Sequence, residues 1–174
     1  MKLLRDLIEQ ETRRPTLWMP IAASGTGKST YLKKLREINP NILSFSFDDL
    51  RHEWYDKEDY GRAFQLSTED KEFNNKAYAV FRKMAKTGQD IYVDNTNLTA
   101  KRRKFYIDIA KKAGYRTVGI EMPVDAETIV ARQKTRGDKN VKESAVRDQF
   151  ARLERPKDGE FDEVIVSNHN LEDK

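Results

Sequence analysis

A glycine-rich segment near the start of the sequence, residues 22–30 with the sequence AASGTGKST, constrains the fold more than any other feature. It matches the phosphate-binding pattern GxxxxGK(S/T) at every position except the first, where Ala22 replaces glycine. An apolar run over 16–22 predicts a strand before the segment, and the residues from Lys28 to about Glu37 predict a helix after it. A glycine-rich turn between a strand and a helix is typical of a nucleotide-binding α/β fold. If the first position needs a left-handed backbone, the alanine is strained there.

The rest of the chain alternates predicted strands with predicted helices. Further strands are expected at 42–47, 91–93, 116–122 and 163–166, and further helices at 49–55, 69–86, 99–113, 126–135 and 142–154. The alternation predicts one α/β domain over 1–174, with a parallel β-sheet of about five strands flanked by helices. In such a sheet ligands bind at the carboxyl ends of the strands, so the residues that follow strands are the candidates for a site.

An amphipathic helix is also expected over residues 1–14, ahead of the first strand. Its apolar residues Leu3, Leu4, Leu7 and Ile8 recur at helical spacing. We expect this stripe to pack on the body of the domain, and formation of a homo-oligomer is the alternative.

The composition excludes several classes of protein. Charged residues make up 36% of the chain, the mean hydropathy is −0.85, and the longest apolar run, 17–23, is far shorter than the roughly 20 residues of a membrane span. The start of the sequence has no signal-peptide pattern, so we expect a cytoplasmic protein with no membrane partner. The absence of cysteine excludes disulfide and thiolate chemistry. A net charge of +4 gives a mild preference for anionic partners.

The glycine-rich segment has the composition of a site for ATP and Mg²⁺. Gly25 and Gly27 allow backbone N–H groups to turn toward phosphate oxygens, and the following helix directs its positive end at them. Lys28 is expected to reach the β- and γ-phosphates, and the Ser29 hydroxyl to bind Mg²⁺. The expected nucleotide-binding residues of this loop are Ser24, Gly25, Thr26, Gly27, Lys28, Ser29 and Thr30.

A pair of acidic residues ends the second predicted strand. Asp48 is expected to face the γ-phosphate from the acceptor side and to take the proton of an attacking hydroxyl, which contributes about 10²–10⁴ in rate. Arg51 follows one helical turn later and is suited to hold an anion of the acceptor. The alternative is that Asp48 or Asp49 caps the next helix. Two adjacent aspartates also allow both roles, with Asp49 as the cap.

An acidic residue ends the third predicted strand as well. Asp94 is expected to hold Mg²⁺ through water or to orient other site residues. Asn97, three residues later, is expected to lie with it at the acceptor site. The basic run 101–104 opens the following helix, where it forms either a solvated face or an edge that contacts acceptor phosphates.

Two arginines, Arg132 and Arg136, lie four residues apart on one predicted helix and therefore share a face. Residues from about 132 to 142 are expected to form a mobile lid that closes over ATP, whose arginines neutralise charge on the transferring phosphoryl group. A solvated basic helix is the alternative.

Together these motifs resemble the P-loop polynucleotide kinases, the 5′-end-healing kinases of phage and of eukaryotic repair. The matching segments are the loop at 22–30, DDLR at 48–51, DNTNL at 94–98 with the charged helix after it, RQKTRG at 132–137, and the closing segment 153–164. The resemblance spans residues 16–166. The sequence differs from the family at Ala22 and at 158–161, where relatives often have an acid-glycine-phenylalanine run.

The resemblance implies a role for each matching residue. Lys28 and Ser29 bind ATP and Mg²⁺, and Asp48 is the general base. Arg51 holds the phosphate next to the acceptor nucleoside, and Arg136 acts on the ATP phosphates. The implied activity is ATP-dependent transfer to the 5′-hydroxyl of DNA or RNA, in the host cytoplasm if the chain is phage-encoded, without the DxDxT signature of a phosphatase.

Two other functions remain open on the sequence. One is a P-loop small-molecule kinase of the zeta-toxin or antibiotic phosphotransferase type, and the other is a non-catalytic adaptor switched by a nucleotide. Arg51 and the basic run 101–104 favour a polyanionic acceptor over a neutral sugar, and a non-catalytic adaptor would leave Asp48 without a role. The aromatic residues within 54–68 either stack on acceptor bases or form a small hydrophobic patch.

Overall fold

The computed structural model of the chain describes residues 13–135 and 141–167. The helix expected over 1–14 lies almost wholly outside the described residues, as does Arg136 of the expected lid. The expectation of a single domain over 1–174 stays a prediction.

In the described part of the chain, five strands form one parallel sheet. They are β1 (Thr16–Ile21), β2 (Leu43–Phe45), β3 (Ile91–Val93), β4 (Arg116–Glu121) and β5 (Glu163–Val166). Their order is β2-β3-β1-β4-β5, so β1 is central. Leu17 of β1 lies opposite Ile91 of β3 on one side and Thr117 of β4 on the other. The predicted α/β fold with five parallel strands is confirmed.

Seven helices connect these strands within residues 13–135 and 141–167. They are α1 (Lys28–Ile38), α2 (Phe47–Trp54), α3 (Tyr60–Glu69), α4 (Phe73–Ala85), α5 (Ala100–Lys112), α6 (Ala126–Gln133) and α7 (Glu143–Ala151). Among the described residues, no helix has the length and apolar character needed to cross a membrane.

The strands bury side chains on both faces of the sheet. Leu17, Met19 and Ile91 are fully buried in one layer, which also contains residues of α4 and α5. Tyr92 points to the opposite layer and packs there with Leu32 of α1. This alternation is the period of two expected of a strand. Because helices cover both faces, the polar groups that can serve a ligand collect at the carboxyl edge of the sheet.

The second strand is shorter than the predicted 42–47, because a helix begins almost at once after it. The Ser46 hydroxyl accepts a hydrogen bond from the backbone N–H of Asp49 at 3.2 Å and is the N-cap of α2. The expectation that Asp48 or Asp49 caps this helix is therefore wrong. Both aspartates lie in the first turn of α2, where the helix dipole favours negative charge.

The helix predicted over 69–86 corresponds to α4, which begins four residues later at Phe73, and α3 was not predicted at all. The chain breaks at Asp70, whose carboxylate accepts hydrogen bonds from Lys76 at 2.9 Å and from the Tyr55 hydroxyl at 2.7 Å. These bonds lower the pKa of Asp70 to about 2. The start of α3 is set by Asp59, whose side chain accepts from a backbone N–H one turn later. Such caps are side-chain contacts, which hydrophobic periodicity does not report.

Candidate active site

The loop at 22–30 joins the central strand to the N-terminus of α1. Gly25 and Gly27 have φ angles of 89° and 99°, a left-handed conformation that glycine adopts without a steric penalty. Gly27 is the N-cap of α1, so the positive end of this helix is directed into the loop. Ala22 is not among the residues with positive φ, and its backbone N–H donates to the Thr96 carbonyl at 3.1 Å. The alanine is therefore accommodated without backbone strain.

Lys28 and Thr26 contact the carbonyl groups of the loop itself. The Lys28 ammonium lies 2.7 Å from the Ala23 carbonyl, and the Lys28 carbonyl accepts a hydrogen bond from the Tyr92 hydroxyl at 2.8 Å. The buried Thr26 hydroxyl donates to the same Ala23 carbonyl at 3.0 Å. Thr26 therefore offers a phosphate its backbone N–H rather than its hydroxyl. Thr30, in the first turn of α1, is exposed.

Ser29 and Asp94 come together at the carboxyl ends of β1 and β3. The Ser29 hydroxyl donates to Asp94 Oδ2 at 3.2 Å. Burial raises the pKa of Asp94, and the nearby carboxylates of Asp49 and Asp48 raise it further, whereas the Lys28 charge and the Ser29 hydrogen bond oppose this rise. The charges of Asp48, Asp49 and Lys28 therefore all act on the Asp94 carboxylate.

A hydroxyl and a carboxylate are a donor set that fits Mg²⁺. Mg²⁺ keeps several water ligands and is usually held by one or two protein groups together with substrate phosphates. Within the described ranges, no group of three or more histidine and acidic side chains could hold a metal by itself. Ser29 and Asp94 thus suit a metal that arrives with a nucleotide rather than one held in a closed protein cage.

Two glutamines from different helices contact Ser24 of the loop. Gln149 on α7 accepts a hydrogen bond from the backbone N–H of Ser24 at 2.7 Å. Gln133, buried at the end of α6, donates to the Ser24 carbonyl at 3.4 Å and accepts from the N–H of Val141 at 3.0 Å. These bonds connect the end of α6, and α7, to the loop. Arg132 is exposed in the last turn of α6.

An arginine and a tyrosine hold the carboxylate of Asp48. Asp48 Oδ1 accepts from Arg51 Nη1 at 2.7 Å and from the Tyr60 hydroxyl at 2.8 Å. Arg51 Nε donates in turn to the Ser67 hydroxyl at 3.0 Å. The Asp48 side chain is 60% exposed, whereas that of Arg51 is only 16% exposed. The carboxylate is thus fixed in direction and remains accessible to solvent.

Tyr60 is a site residue that the sequence did not identify. Burial and the negative charge of Asp48 raise the pKa of Tyr60 to about 12. The phenol therefore keeps its proton at neutral pH and acts as a hydrogen-bond donor to Asp48. The signal available in the sequence was only that Tyr60 belongs to an aromatic segment that follows the two aspartates.

The Asn97 side chain is turned into the interior of the protein. It is buried, and the amide Nδ2 donates to the carbonyls of Pro20 at 2.8 Å, Val93 at 3.1 Å and Asn95 at 3.0 Å. These bonds fasten the turn after β3 to the end of β1, next to the phosphate-binding loop. The expectation of a substrate-binding Asn97 is corrected to a structural role.

The basic run 101–104 does not form one surface. Arg103 is fully buried, and its guanidinium pairs with Glu160 at 2.6 Å. Lys104 is exposed and pairs with Asp108 at 2.8 Å. Neither predicted alternative, a solvated face or a phosphate-contacting edge, describes Arg103. Its charge is neutralised inside the protein and is withheld from any acceptor.

Comparison with known proteins identifies the family of the chain. Residues 17–156, which carry the loop, both site aspartates and both glutamines, match the family described as the AAA domain. The chain belongs to this AAA-domain family.

Proteins with kinase in their names are similar to this AAA domain. A candidate bifunctional polynucleotide kinase/RNA ligase of Autographa californica nuclear polyhedrosis virus is 28% identical over 141 residues, which cover 72% of this chain and 20% of the viral protein. This chain therefore spans about a fifth of the length of that relative. A fungal RNA kinase structure has a TM-score of 0.62 at 18% identity, covering 89% of this chain and 38% of the other. A gluconokinase from Sinorhizobium meliloti 1021 has a TM-score of 0.60 at 16% identity, covering 88% and 82%.

These similarities confirm two predictions. The solved structures have the predicted P-loop kinase fold. The viral relative agrees with the resemblance to P-loop polynucleotide kinases that the motifs gave. The acceptor is a separate question, because the two solved structures are named for different acceptors.

Removing the Tyr60 hydroxyl is expected to impair turnover more than binding in this AAA domain. Tyr60→Phe deletes one of the two bonds that orient Asp48, so we expect kcat to fall about fivefold to tenfold, with the KM for ATP unchanged. Steady-state kinetics with varied ATP at a fixed acceptor concentration measure kcat and the KM for ATP separately.

Tyr55→Phe is the matched control for this experiment. It also deletes a hydroxyl donated to an aspartate, at 2.7 Å from Asp70, but outside the site. It should lower the melting temperature without lowering kcat. Equal falls in kcat for Tyr60→Phe and Tyr55→Phe would show that Tyr60 acts only on stability.

Proposed function

We propose that this AAA domain transfers the γ-phosphate of ATP to the 5′-hydroxyl end of DNA or RNA. The observation that carries the proposal is the Asp48 carboxylate, which Arg51 and Tyr60 hold in direction while its side chain stays 60% exposed. A carboxylate in this position is suited to take the proton of an alcohol. A guanidinium next to it suits the phosphate that follows a 5′-terminal nucleoside. The viral relative named for polynucleotide kinase supports the same acceptor class.

In the proposed reaction the residues of the chain bind, orient and move one proton. The backbone N–H groups of the loop and Lys28 bind the β- and γ-phosphates. The acceptor oxygen forms a bond to the γ-phosphorus while the bond from that phosphorus to the β–γ bridging oxygen breaks, and ADP leaves. Asp48 accepts the proton of the hydroxyl. Mg²⁺, when bound at Ser29 and Asp94, supplies positive charge to the phosphates.

The lid arginines complete the proposed site. Arg132 lies at the end of α6, which Gln133 attaches to the phosphate-binding loop. We assign Arg132, together with Arg136, to the nucleotide phosphates, where added positive charge stabilises the transferring group. This assignment extends the predicted role of the 132–142 segment.

A small-molecule kinase is the second candidate. The gluconokinase structure favours it, because this chain covers 82% of its length with the same fold. A neutral sugar has no group that needs a guanidinium beside the catalytic carboxylate, so the Asp48–Arg51 pair supports a polyanionic acceptor over a neutral sugar. Gluconate is itself a carboxylate that a guanidinium can hold, so a transfer assay is needed to separate it from a nucleic acid end.

A panel of acceptors separates these candidates. The wild-type protein is incubated with γ-labelled ATP, Mg²⁺ and, in separate reactions, 5′-hydroxyl DNA, 5′-hydroxyl RNA, the same strands with a 5′-phosphate, and gluconate. We expect label on at least one 5′-hydroxyl strand and none on the 5′-phosphorylated strands. Label on gluconate alone would favour the sugar kinase. Binding of ATP without transfer to any acceptor would favour the non-catalytic adaptor.

A further inference from the structure

The aromatic residues that follow α2 divide into two groups. Trp54 and Tyr55 pack against Phe73 at ring-centroid distances of 5.9 Å, so they belong to the edge of the core. Tyr60 and Phe64 lie instead on the face of α3 that contacts the site. The segment is therefore not one hydrophobic patch.

One face of α3 packs on the Asp48–Arg51 pair. Tyr60, Phe64 and Ser67 are spaced at i, i+4 and i+7, so they share this face. The Tyr60 hydroxyl reaches Asp48, and the Ser67 hydroxyl accepts from Arg51 and donates to the Phe64 carbonyl at 2.8 Å. Phe64 is placed between these two contacts by the helix itself.

Phe64 is exposed although its neighbours on this face are held by polar contacts. Its relative exposure is 49%, larger than the 36% of Trp54, the other exposed aromatic residue among those the structure describes. The Arg51 guanidinium lies 5.0 Å from the centroid of its ring, and the Tyr60 ring lies 6.3 Å away. The ring therefore adjoins the group assigned to the acceptor phosphate and the tyrosine that orients the base.

We propose that Phe64 binds the nucleobase of the 5′-terminal acceptor nucleotide by stacking. The inference rests on the proposed function and adds the part of the substrate that this surface recognises. In a 5′-terminal nucleotide one sugar ring separates the reacting hydroxyl from the base. In the protein, the side chain of Arg51 separates the Asp48 carboxylate from the Phe64 ring in a similar way, since it contacts both. Aromatic stacking accepts any base, so this subsite favours a terminal base without selecting its identity.

The competing explanation is that Phe64 only supports Arg51. Phe47 and Phe73 already line Arg51 at 5.8 Å and 5.1 Å, and Phe73 is buried. Arg51 is also fixed by hydrogen bonds to Asp48 and Ser67. Support of the guanidinium therefore does not require a third ring that is half exposed to solvent.

The test compares two 5′-hydroxyl oligonucleotides that differ only in their 5′-terminal residue, which is a normal nucleotide in one and abasic in the other. Removing the aromatic ring with Phe64→Leu is expected to raise the KM for the normal oligonucleotide about tenfold, as the loss of one stacked base does. The KM for the abasic oligonucleotide should stay at the wild-type value. Phe64→Trp, which enlarges the ring, should restore the preference for the normal end. Ile38→Ala, which removes an 85% exposed apolar side chain from α1, is the control.

Each result decides the inference. A KM increase of equal size for both oligonucleotides would mean that the ring acts through Arg51, and no increase for either would mean that the base is not bound there. Both results overturn the subsite and leave the proposed function intact. Failure of the wild-type protein to label either oligonucleotide would overturn the proposed function itself.

Discussion

Replacing Asp48 with asparagine is expected to lower kcat for the proposed phosphoryl transfer about 10²–10⁴-fold. Asparagine has nearly the same size, and its amide oxygen can still accept hydrogen bonds from Arg51 and Tyr60. It cannot take the proton of the acceptor hydroxyl. Because the proposal assigns Asp48 to the acceptor and not to the nucleotide, the affinity for ATP should stay within about twofold of the wild-type value. Single-turnover transfer at saturating ATP measures the rate, and equilibrium binding measures the affinity.

Asp49→Asn is the matched control for this prediction. Asp49 lies in the same turn of α2 and has the same charge, but Arg51 and Tyr60 bond to Asp48 instead, and the backbone N–H of Asp49 donates to Ser46. Its substitution should reduce kcat far less than Asp48→Asn does. Comparable losses in the two variants, or an Asp48→Asn enzyme as fast as wild type, would remove Asp48 from the role of general base.

Replacing Arg103 with methionine is expected to lower the free energy of unfolding by about 3–5 kcal/mol, the typical cost of breaking a buried ion pair from one side. Two bonds to Glu160 are lost, at 2.6 Å and 3.1 Å. The bonds from Arg103 Nη1 to the carbonyls of Asn97, Leu98 and Glu154, each about 3 Å long, are lost as well. The substitution therefore removes the guanidinium from a carboxylate and three carbonyls. Glu160 keeps the backbone N–H of Lys157 and the Leu98 carbonyl keeps that of Glu154, but the ionic partner of the carboxylate is gone. Urea unfolding monitored by tryptophan fluorescence measures the change.

Lys104→Met is the control for the Arg103 variant. It removes the neighbouring charge of the same basic run, but from an exposed pair with Asp108, which contributes about 0–1 kcal/mol. A loss below about 1 kcal/mol for Arg103→Met, equal to the control, would contradict the buried ion pair.

The pH dependence of stability tests the same ion pair independently. Burial alone raises the pKa of Glu160, but hydrogen bonds from Arg103 and from the backbone of Lys157 outweigh it and lower the pKa. A carboxylate with a lowered pKa in the folded state stabilises the protein above its unfolded-state pKa, and this stability is lost as the pH falls through the lowered value. The Arg103→Met variant should therefore lose less stability on acidification than the wild type does.

The features of this protein that could be predicted from sequence are those encoded by neighbouring residues. The glycine-rich loop is contiguous, and its glycines adopt the left-handed angles that the motif requires. The five strands follow from short apolar runs bounded by polar residues. Asp48 and Arg51 lie three residues apart on one helix, so their pairing follows from helical geometry alone.

The features that could not be predicted depend on contacts between distant residues. Arg103 is an unremarkable member of a basic run until the fold places it 2.6 Å from Glu160, 57 positions later. Gln149 meets the backbone of Ser24 across 125 positions, and a lone glutamine in a predicted helix gives no sign of this. Asn97 follows a strand, as site residues do, but its amide turns inward to backbone carbonyls. Placement after a strand therefore predicts the edge of the sheet at which polar residues collect, but not which of their side chains turn inward.

The most direct test of the proposed kinase is transfer of label from γ-labelled ATP to a 5′-hydroxyl oligonucleotide in the presence of Mg²⁺. Wild-type protein, Lys28→Ala and Asp48→Ala are assayed side by side, and the product is digested to nucleotides to locate the label. We predict label on the wild-type product that is recovered as the 5′-monophosphate of the terminal nucleoside, and none with either variant. A wild-type protein that binds ATP but labels neither DNA nor RNA would contradict the proposal, as would label that survives both substitutions.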